Sequence, residues 1–249
     1  MRVKATVAYD GGAFHGFAPN EGVRTVGGDL ADALSRCLRQ SVDLTCAGRT
    51  DTGVHARGQV VSFAAPDDVD LPAVRTAVNR MLAPVIAVRD MEAAPEGFDA
   101  RFDAKSRTYH YTVLNREVPD PFLAATTWHY PRRLDMDAMN DAATALVGEH
   151  DFSSFCRKQH AADGSEKSRV RVVLRVGWRR ADQDILRLEI EASSFCHQMV
   201  RSITGALVDI GAARHPPGAM AEIMAAQDRS GVANLAPPHG LCLWCVSYS

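Results

Sequence analysis

The chain of 249 residues has no long apolar run and no excess of either charge. No stretch approaches the roughly 20 uninterrupted apolar residues of a membrane span, and the chain starts in a predicted strand instead of a signal peptide, so we expect a cytoplasmic protein with no membrane partner. A net charge of −2 excludes a chain that is basic throughout. Any contact with nucleic acid must therefore come from local basic patches.

Cysteine is also sparse, and its pattern predicts neither a disulfide framework nor a metal site. The six cysteines lie mostly inside apolar segments, which is typical of reduced thiols in a core. Cys242 and Cys245 have metal-like spacing, but zinc usually needs four ligands and the sequence has no second such pair. We expect these two cysteines to lie in a strand.

The segment most indicative of function is Gly48–His55, which reads Gly-Arg-Thr-Asp-Thr-Gly-Val-His. It connects two predicted strands, so Asp51 lies on a loop with small, flexible neighbours. Arg49 lies two residues before Asp51 and points to the same face if the backbone is extended. A nearby cation favours the ionised carboxylate, which suits a nucleophile better than an acid.

Two other interpretations of the same residues must be weighed. Asp51-Thr52-Gly53 is also the triplet of aspartic proteases, which need two such aspartates sharing one proton. Arg49 would oppose that sharing, and the sequence has no second Asp-Thr-Gly or Asp-Ser-Gly, so a protease would have to be a homodimer. The segment could also be a surface turn with an ion pair, and only accompanying motifs argue against that.

Those motifs are distributed along the whole chain. The octet, continued by Ala56 and Gly58–Val61, resembles the signature of the TruA family of tRNA pseudouridine synthases, in which Ala usually replaces Thr52. The further matches, in chain order, are Ala5 with Tyr9–Gly11, Phe14 and Gly16; Phe98 with Ala100–Phe102; Arg107–Tyr111; Gly148 with His150–Phe152, Ser154 and Phe155; Phe195 with His197, Met199–Arg201 and Gly205; and Gly240–Leu241 with Leu243.

The resemblance implies an isomerase that converts uridine to pseudouridine at positions 38–40 in the anticodon arm of tRNAs, with no cofactor and no metal. The N1–C1′ bond breaks and a C5–C1′ bond forms, so no water needs activation and one carboxylate suffices. Asp51 is implied as nucleophile or base. The sequence leaves open whether it attacks C1′, adds to C6 or removes the C2′ proton. Gly16–Ala18 departs from the family's usual Gly-Trp-Gln, so the breadth of substrates is less certain than the reaction.

The resemblance also assigns substrate-binding roles, because the reacting atoms cannot be reached unless the uridine leaves the base stack. Arg49 would fill the space that the base vacates and hold the RNA backbone. Tyr109 would stack on the uracil, Arg201 would pair with Asp51, and Leu241 would close the pocket beneath the base.

Two local basic patches are candidates for RNA contact. Residues 157–180 hold eight basic and two acidic residues, a net charge of +6, and we assign Lys167, Arg169 and Arg171 to the RNA backbone. The loop 156–168 is polar, so we expect it to be mobile until RNA binds. Residues 101–111 alternate cations with aromatic rings that could stack on an unpaired base. Either patch could instead be a solvated strand face.

The hydrophobic pattern predicts two ferredoxin-like halves with the order β-α-β-β-α-β, hence an α+β fold. The first half has strands at 3–9, 42–48, 57–64 and 85–92, with helices through 30–38 and at 71–82. The second has strands at 106–115, 170–180, 184–193 and 240–248 and helices at 136–147 and 196–213, with an extra helix at 219–226.

We place the domain boundary so that 1–104 carries Asp51 and 105–249 completes the active site. Antiparallel sheets would flank a central RNA-binding cleft, and the resemblance implies a homodimer that binds one tRNA across both subunits. The competing class is a non-catalytic RNA-binding protein of the same fold, which the intact Asp51, Arg49 and Tyr109 disfavour.

Overall fold

The structure is a computed structural model that describes residues 1–159, 164–232 and 234–249. The first compact unit contains Met1–Arg107 with Cys242–Ser249, and the second contains Thr108–Leu241. Both units combine strands with helices, which confirms the α+β class. The strands are β1 (Arg2–Tyr9), β2 (Thr45–Cys46), β3 (His55–Ala64), β4 (Ile86–Ala94), β5 (Ser106–Leu114), β6 (Trp128–His129), β7 (Gly148–Asp151), β8 (Val170–Asp182), β9 (Ile185–Ala192) and β10 (Leu241–Ser247). The helices are α1 (Val26–Leu38), α2 (Leu71–Leu82), α3 (Met136–Ala143), α4 (Met199–Gly211) and α5 (Ala219–Ala226).

The first unit has the predicted β-α-β-β-α-β order. Its central strand β1 runs antiparallel to β3 on one side and to β4 on the other. Alternate residues of β1 are buried, as the strand pattern requires. Thr25 and Asp70 cap the two helices by accepting hydrogen bonds from Gly28 N at 3.2 Å and Ala73 N at 3.0 Å.

One edge of β3 is shared by two partners, which corrects the prediction of a strand at 42–48. Only Thr45–Cys46 pair with β3, opposite Ser62 and Val61. Farther along the same edge, β10 runs parallel to β3, with Cys242 opposite His55. Ala47 adds one backbone hydrogen bond, from its N–H to the carbonyl of Val60 at 2.8 Å, and farther along β10 takes the same edge at His55 and Ala56. The last strand, which the division at residue 104 assigned to the second domain, thus packs with the first unit.

The second unit is built on the strand order β5-β9-β8-β7, with β6 paired to β5. The pairs β7–β8 and β8–β9 are antiparallel, whereas β5–β6 is parallel. The short strands β6 and β7 are not in the sequence prediction, because two to four residues carry no periodic pattern. The helix predicted at 136–147 ends at Ala143 and continues as a 3-10 turn over Thr144–Leu146.

The start of α4 also differs from the prediction of a helix at 196–213. The helix begins at Met199, because Gln198 has a positive φ of 67° that does not belong to a right-handed helix. Cys196 precedes this turn and forms a disulfide with Cys156, with Cα atoms 5.7 Å apart. The prediction of reduced core thiols is therefore wrong for this pair, since residues 40 positions apart meet only through the tertiary fold.

Three further predictions concern membrane helices, the loop 156–168 and the RNA cleft. No helix in the described part of the chain is long and apolar enough to cross a membrane. Residues 160–163 of the loop 156–168 lie outside the described residues, and the mobility of that loop stays a prediction. The RNA cleft between the predicted halves also stays a prediction.

Candidate active site

The loop that carries Asp51 is attached to the core on both sides of the carboxylate. Thr50 is buried, and its hydroxyl lies 2.8 Å from the hydroxyl of Tyr9. Asp51 itself is half-buried, and its carbonyl accepts a hydrogen bond from Val54 N at 3.1 Å. Gly53 has a φ of 76°, so this turn uses the left-handed region that glycine enters without strain. The aspartate is thus presented on a short, hydrogen-bonded turn.

Gln59 fixes the start of this loop from inside the core. Its side chain is fully buried, and Nε2 donates to the carbonyl of Gly48 at 2.6 Å and to the Tyr9 hydroxyl at 3.4 Å. Its Oε1 accepts from the backbone N–H of Val60 at 3.1 Å. Burial raises the pKa of Tyr9 well above its usual value, so the phenol stays neutral. Gln59 and Tyr9 therefore form a neutral hydrogen-bonded support beneath residues 48–50.

Two glycines let the loop after β1 approach the Asp51 turn closely. A Cβ on Gly16, whose φ is 90°, would lie 2.8 Å from the carbonyl oxygen of Thr50, and a Cβ on Gly11 would overlap the carbonyl of Val54. The backbone N–H of Gly11 donates to Nδ1 of the buried His55 at 3.1 Å. Both glycines belong to the sequence motifs, and the contacts give the reason for them.

Arg49 lies at the surface of the same loop. Its side chain is exposed, and its charge acts on the thiol of Cys46, whose pKa burial raises to about 11 while Arg49 opposes the rise. The sequence predicted that Arg49 favours the ionised form of Asp51 and holds the RNA backbone. An exposed guanidinium on this loop is compatible with the second role, which stays a prediction.

In the second unit, Tyr109 lies in β5 with its ring edge-on to Phe195 at 5.1 Å between centroids. The side chain is only 7% exposed, so packing fixes its orientation. The predicted stacking of Tyr109 on uracil stays a prediction.

Arg201 lies in the first turn of α4 and is held by the segment before β10. Its Nε donates to the carbonyl of Ala236 at 2.7 Å, and its own carbonyl accepts from Ala236 N at 3.2 Å. These two hydrogen bonds fix the guanidinium relative to α4. The predicted pairing of Arg201 with Asp51 stays a prediction.

Leu241 begins β10 and is 6% exposed. The preceding turn rests on Tyr111, because a Cβ on Gly240 would lie 2.7 Å from the Tyr111 ring. The Tyr111 hydroxyl donates to the carbonyl of Pro237 at 2.8 Å. Tyr111 therefore sets the position of Leu241, a role that the sequence did not reveal.

Four of the six members of the predicted RNA-binding cluster at 101–111 are buried, namely Arg107, Tyr109, His110 and Tyr111. The prediction of a binding surface is wrong for Arg107, His110 and Tyr111, while the single role that the resemblance gives Tyr109 stays a prediction. Arg107 donates to the backbone carbonyls of Ala47, Arg101 and Ala104 at 2.6–3.1 Å. Tyr111 is inaccessible, and burial lowers the pKa of His110 to about 4. The alternation of cations and aromatic rings indicated a binding surface. In the structure it lies largely in β5, a strand that is covered on both faces.

The three residues assigned to the RNA backbone differ in their surroundings. Lys167 is exposed, whereas Arg169 pairs with Glu166 at 2.8 Å. The Arg171 Nη1 donates to the carbonyls of Ser168 at 2.9 Å and Val170 at 2.6 Å, and burial lowers its pKa. Of the three, Arg171 is thus the most occupied by its own backbone.

Comparison with known proteins identifies the family. A family model described as tRNA pseudouridine synthase matches residues 5–103 and 142–249. The chain belongs to this family. It is 42% identical to tRNA pseudouridine synthase A of Frankia casuarinae, over all of this chain and 89% of that protein. It is 40% identical to the Bacillus subtilis protein of the same name, over 100% and 99%, and 39% identical to that of Thermotoga maritima, over 99% of both chains.

Among solved structures, an archaeal box H/ACA complex of Nop10 and Cbf5 matches 83% of this chain and 44% of the other, with 13% identity and a TM-score of 0.34. That similarity is too low to support an argument. Family membership confirms the recognition of a tRNA pseudouridine synthase, an isomerase acting on tRNA uridine, and excludes the aspartic protease. Among the described residues, no group of three or more His, Cys, Asp or Glu side chains could hold a metal ion.

Proposed function

We propose that this enzyme isomerises uridines at positions 38–40 in the anticodon arm of tRNA, with Asp51 as the nucleophile or base. The observation that carries the proposal is the supported turn around Asp51. Its neighbour Thr50 and the start of its loop are bound to the buried Tyr9 and Gln59, while the carboxylate-bearing residue is left half-buried. These hydrogen bonds fix the backbone that carries the carboxylate, and a reacting group needs such a fixed position.

The reaction rearranges bonds within one nucleotide. The N1–C1′ bond of the uridine breaks, the base turns, and C5 bonds to C1′ while the C5 hydrogen is lost as a proton and N1 gains one. Atoms and charge balance without an oxidant or a hydrolytic water. Asp51 can take part by attacking C1′, by adding to C6 or by removing the C2′ proton, and its placement on a turn suits all three.

The remaining substrate contacts are proposed for the extruded nucleotide. Tyr109 offers a ring face to the uracil, and Leu241 offers an apolar contact beneath it. Arg49 occupies the place left by the base. Arg201 supplies a fixed positive charge. Unstacking costs a few kcal/mol, and these contacts offset it. Both Tyr109 and Arg201 are held by neighbours in their own unit, so they are ordered before RNA arrives.

We further propose that the enzyme acts as a homodimer in the cytoplasm. Both statements rest on the resemblance to the family and on the tRNA substrate. Size-exclusion chromatography with light scattering tests the dimer directly, and a mass near 27 kDa at working concentration would refute it.

The function is tested by incubating the purified protein with unmodified tRNA and no cofactor, followed by carbodiimide treatment and reverse transcription. We expect stops that correspond to positions 38–40. A tRNA with cytidines at those three positions is the control and should give no stop there. Pseudouridine at other positions would refute the site assignment, and none at any position would refute the activity.

A further inference from the structure

A hollow in the second unit brings three cations of the predicted basic segment 157–180 together with Arg229, which lies far from them in sequence. Arg157 and Lys158 follow the turn after β7, Arg169 precedes β8, and Arg229 lies in a 3-10 turn after α5. These four residues, here called the basic hollow, surround a cavity of about 650 Å³. Among its lining residues the only carboxylate is Asp228, so the lining carries a net charge of +3.

The acidic groups near the hollow are engaged elsewhere. Asp228 accepts hydrogen bonds from the backbone N–H of Ser230 at 3.0 Å and from its hydroxyl, which caps the 3-10 turn. Glu166 pairs with Arg169 at 2.8 Å and so neutralises one of the four cations. Arg157 and Lys158 are exposed, and neither forms an ion pair within 4 Å in the described part of the chain. The hydrogen bonds from Ser230 and, to a smaller degree, the charge of Lys158 lower the pKa of Asp228.

Arg229 points to an anionic ligand more directly. Its Nη2 donates to the side chain of Gln198, but its Nη1 is buried and has no hydrogen-bond partner in the described part of the chain. A buried guanidinium N–H without a partner costs free energy unless an acceptor arrives. Burial and, after it, the neighbouring charge of Arg157 lower the pKa of Arg229, and the charge of a bound anion would oppose that shift.

The N-terminus of helix α4 adds partial positive charge beside the hollow. Gln198, which binds Arg229, is also the N-cap residue of α4, and its side chain does not cap that helix. The 13-residue helix α4 therefore starts beside the hollow with its partial positive charge uncompensated by a side-chain cap. Arg157 is held in place because its backbone N–H donates to the carbonyl of His197 at 3.0 Å.

We propose that the basic hollow binds a phosphodiester group of the tRNA substrate, an inference that rests on the proposed function. Arginine forks match phosphate oxygens in two-point hydrogen bonds, and a cavity of this size can admit a phosphate with its adjoining sugar. Because the chain as a whole has a net charge of −2, a concentrated site of this kind is needed to hold a polyanion. The hollow extends the predicted basic segment 157–180 by Arg229.

The test uses Arg229→Gln and Arg157→Gln in the full chain. Dissociation constants for unmodified tRNA are measured over a potassium chloride series. Each Gln variant should weaken binding about 3- to 10-fold at low salt and reduce the salt slope by about 0.7–0.9, the value for one phosphate contact. Arg229→Lys should restore much of the slope. Arg80→Gln, at an exposed position of α2, is the matched control and should bind as wild type.

Unchanged slopes in both Gln variants would overturn the proposal. Isothermal titration with inorganic phosphate at constant ionic strength distinguishes the source of the anion. Phosphate binding that is lost in Arg229→Gln, with an unchanged tRNA slope, would assign the hollow to a small anion and also overturn the proposal. Thermal unfolding shows whether each variant is folded. If Arg229→Gln does not fold, the salt slope of Arg157→Gln, which changes an exposed residue, decides the outcome. Wild type that binds tRNA but forms no pseudouridine would refute the function and leave the hollow standing.

Discussion

The replacement Gln59→Leu tests whether the support beneath residues 48–50 positions Asp51. Leucine keeps most of the side-chain volume and removes the amide, so the half-buried carbonyl of Gly48 loses its 2.6 Å donor and the buried N–H of Val60 loses its 3.1 Å acceptor. The contacts at 3.4 Å to Gly48 N and to Tyr9 are too long to count for much. With about 1–3 kcal/mol for each of the two groups left unsatisfied, we expect unfolding free energy to fall by about 2–6 kcal/mol.

The assay pairs urea unfolding with single-turnover pseudouridine formation at saturating tRNA. A loosened loop should lower the turnover rate while the affinity for tRNA stays near wild type, because Gln59 is buried and touches no RNA. Gln40→Leu is the matched control, since that glutamine is exposed and its one hydrogen bond is 3.4 Å long. An unchanged unfolding midpoint for Gln59→Leu would refute the energetic reasoning. Lower stability with an unchanged rate would show that the support does not position Asp51.

Two further predictions concern the second unit. Reduction, or the double replacement Cys156→Ser and Cys196→Ser, should remove a crosslink that spans 40 residues and lower the unfolding free energy by about 4 kcal/mol. If reductant does not raise the intact mass of the protein by two hydrogens, the disulfide does not exist. The pKa of His110 is lowered to about 4 by burial, so the unfolded chain binds a proton first as the pH falls. The unfolding free energy should therefore decline as the pH falls from about 6.5 to about 4, and the decline should be smaller in His110→Asn. An equal decline in both proteins would show that His110 does not cause it.

The elements that could be predicted from the sequence are those whose own pattern determines them. Helix α1 and strand β9 have clear periods of 3.6 and 2, and both lie where the pattern places them. Strand β2 is shorter than its apolar run, and it lies on an edge of β3 for which β10, almost 200 residues later, also competes. No local pattern could indicate that competition.

The site shows the same division between local and long-range information. Asp51 was identifiable because its whole motif is contiguous, and Gly16 because it belongs to a motif. Gln59 belongs to the same motif, but its supporting role was not predicted, although a glutamine inside an otherwise apolar strand is a signal for a buried polar role. Arg229 gave no signal, since it gains its neighbours only when the turn after α5 packs beside Gln198.

The central claim is that the Asp51 carboxylate performs the isomerisation. It is tested most directly with tRNA tritiated at uridine C5, since forming the C5–C1′ bond releases that hydrogen to water. Asp51→Asn keeps the shape of the side chain and removes its charge, whereas Asp68→Asn changes an exposed aspartate of the same unit as a control. We predict that Asp51→Asn releases tritium below about one hundredth of the wild-type rate at unchanged tRNA affinity, with Asp68→Asn at the wild-type rate. A rate above that level, with intact mass excluding deamidation, would contradict the assignment.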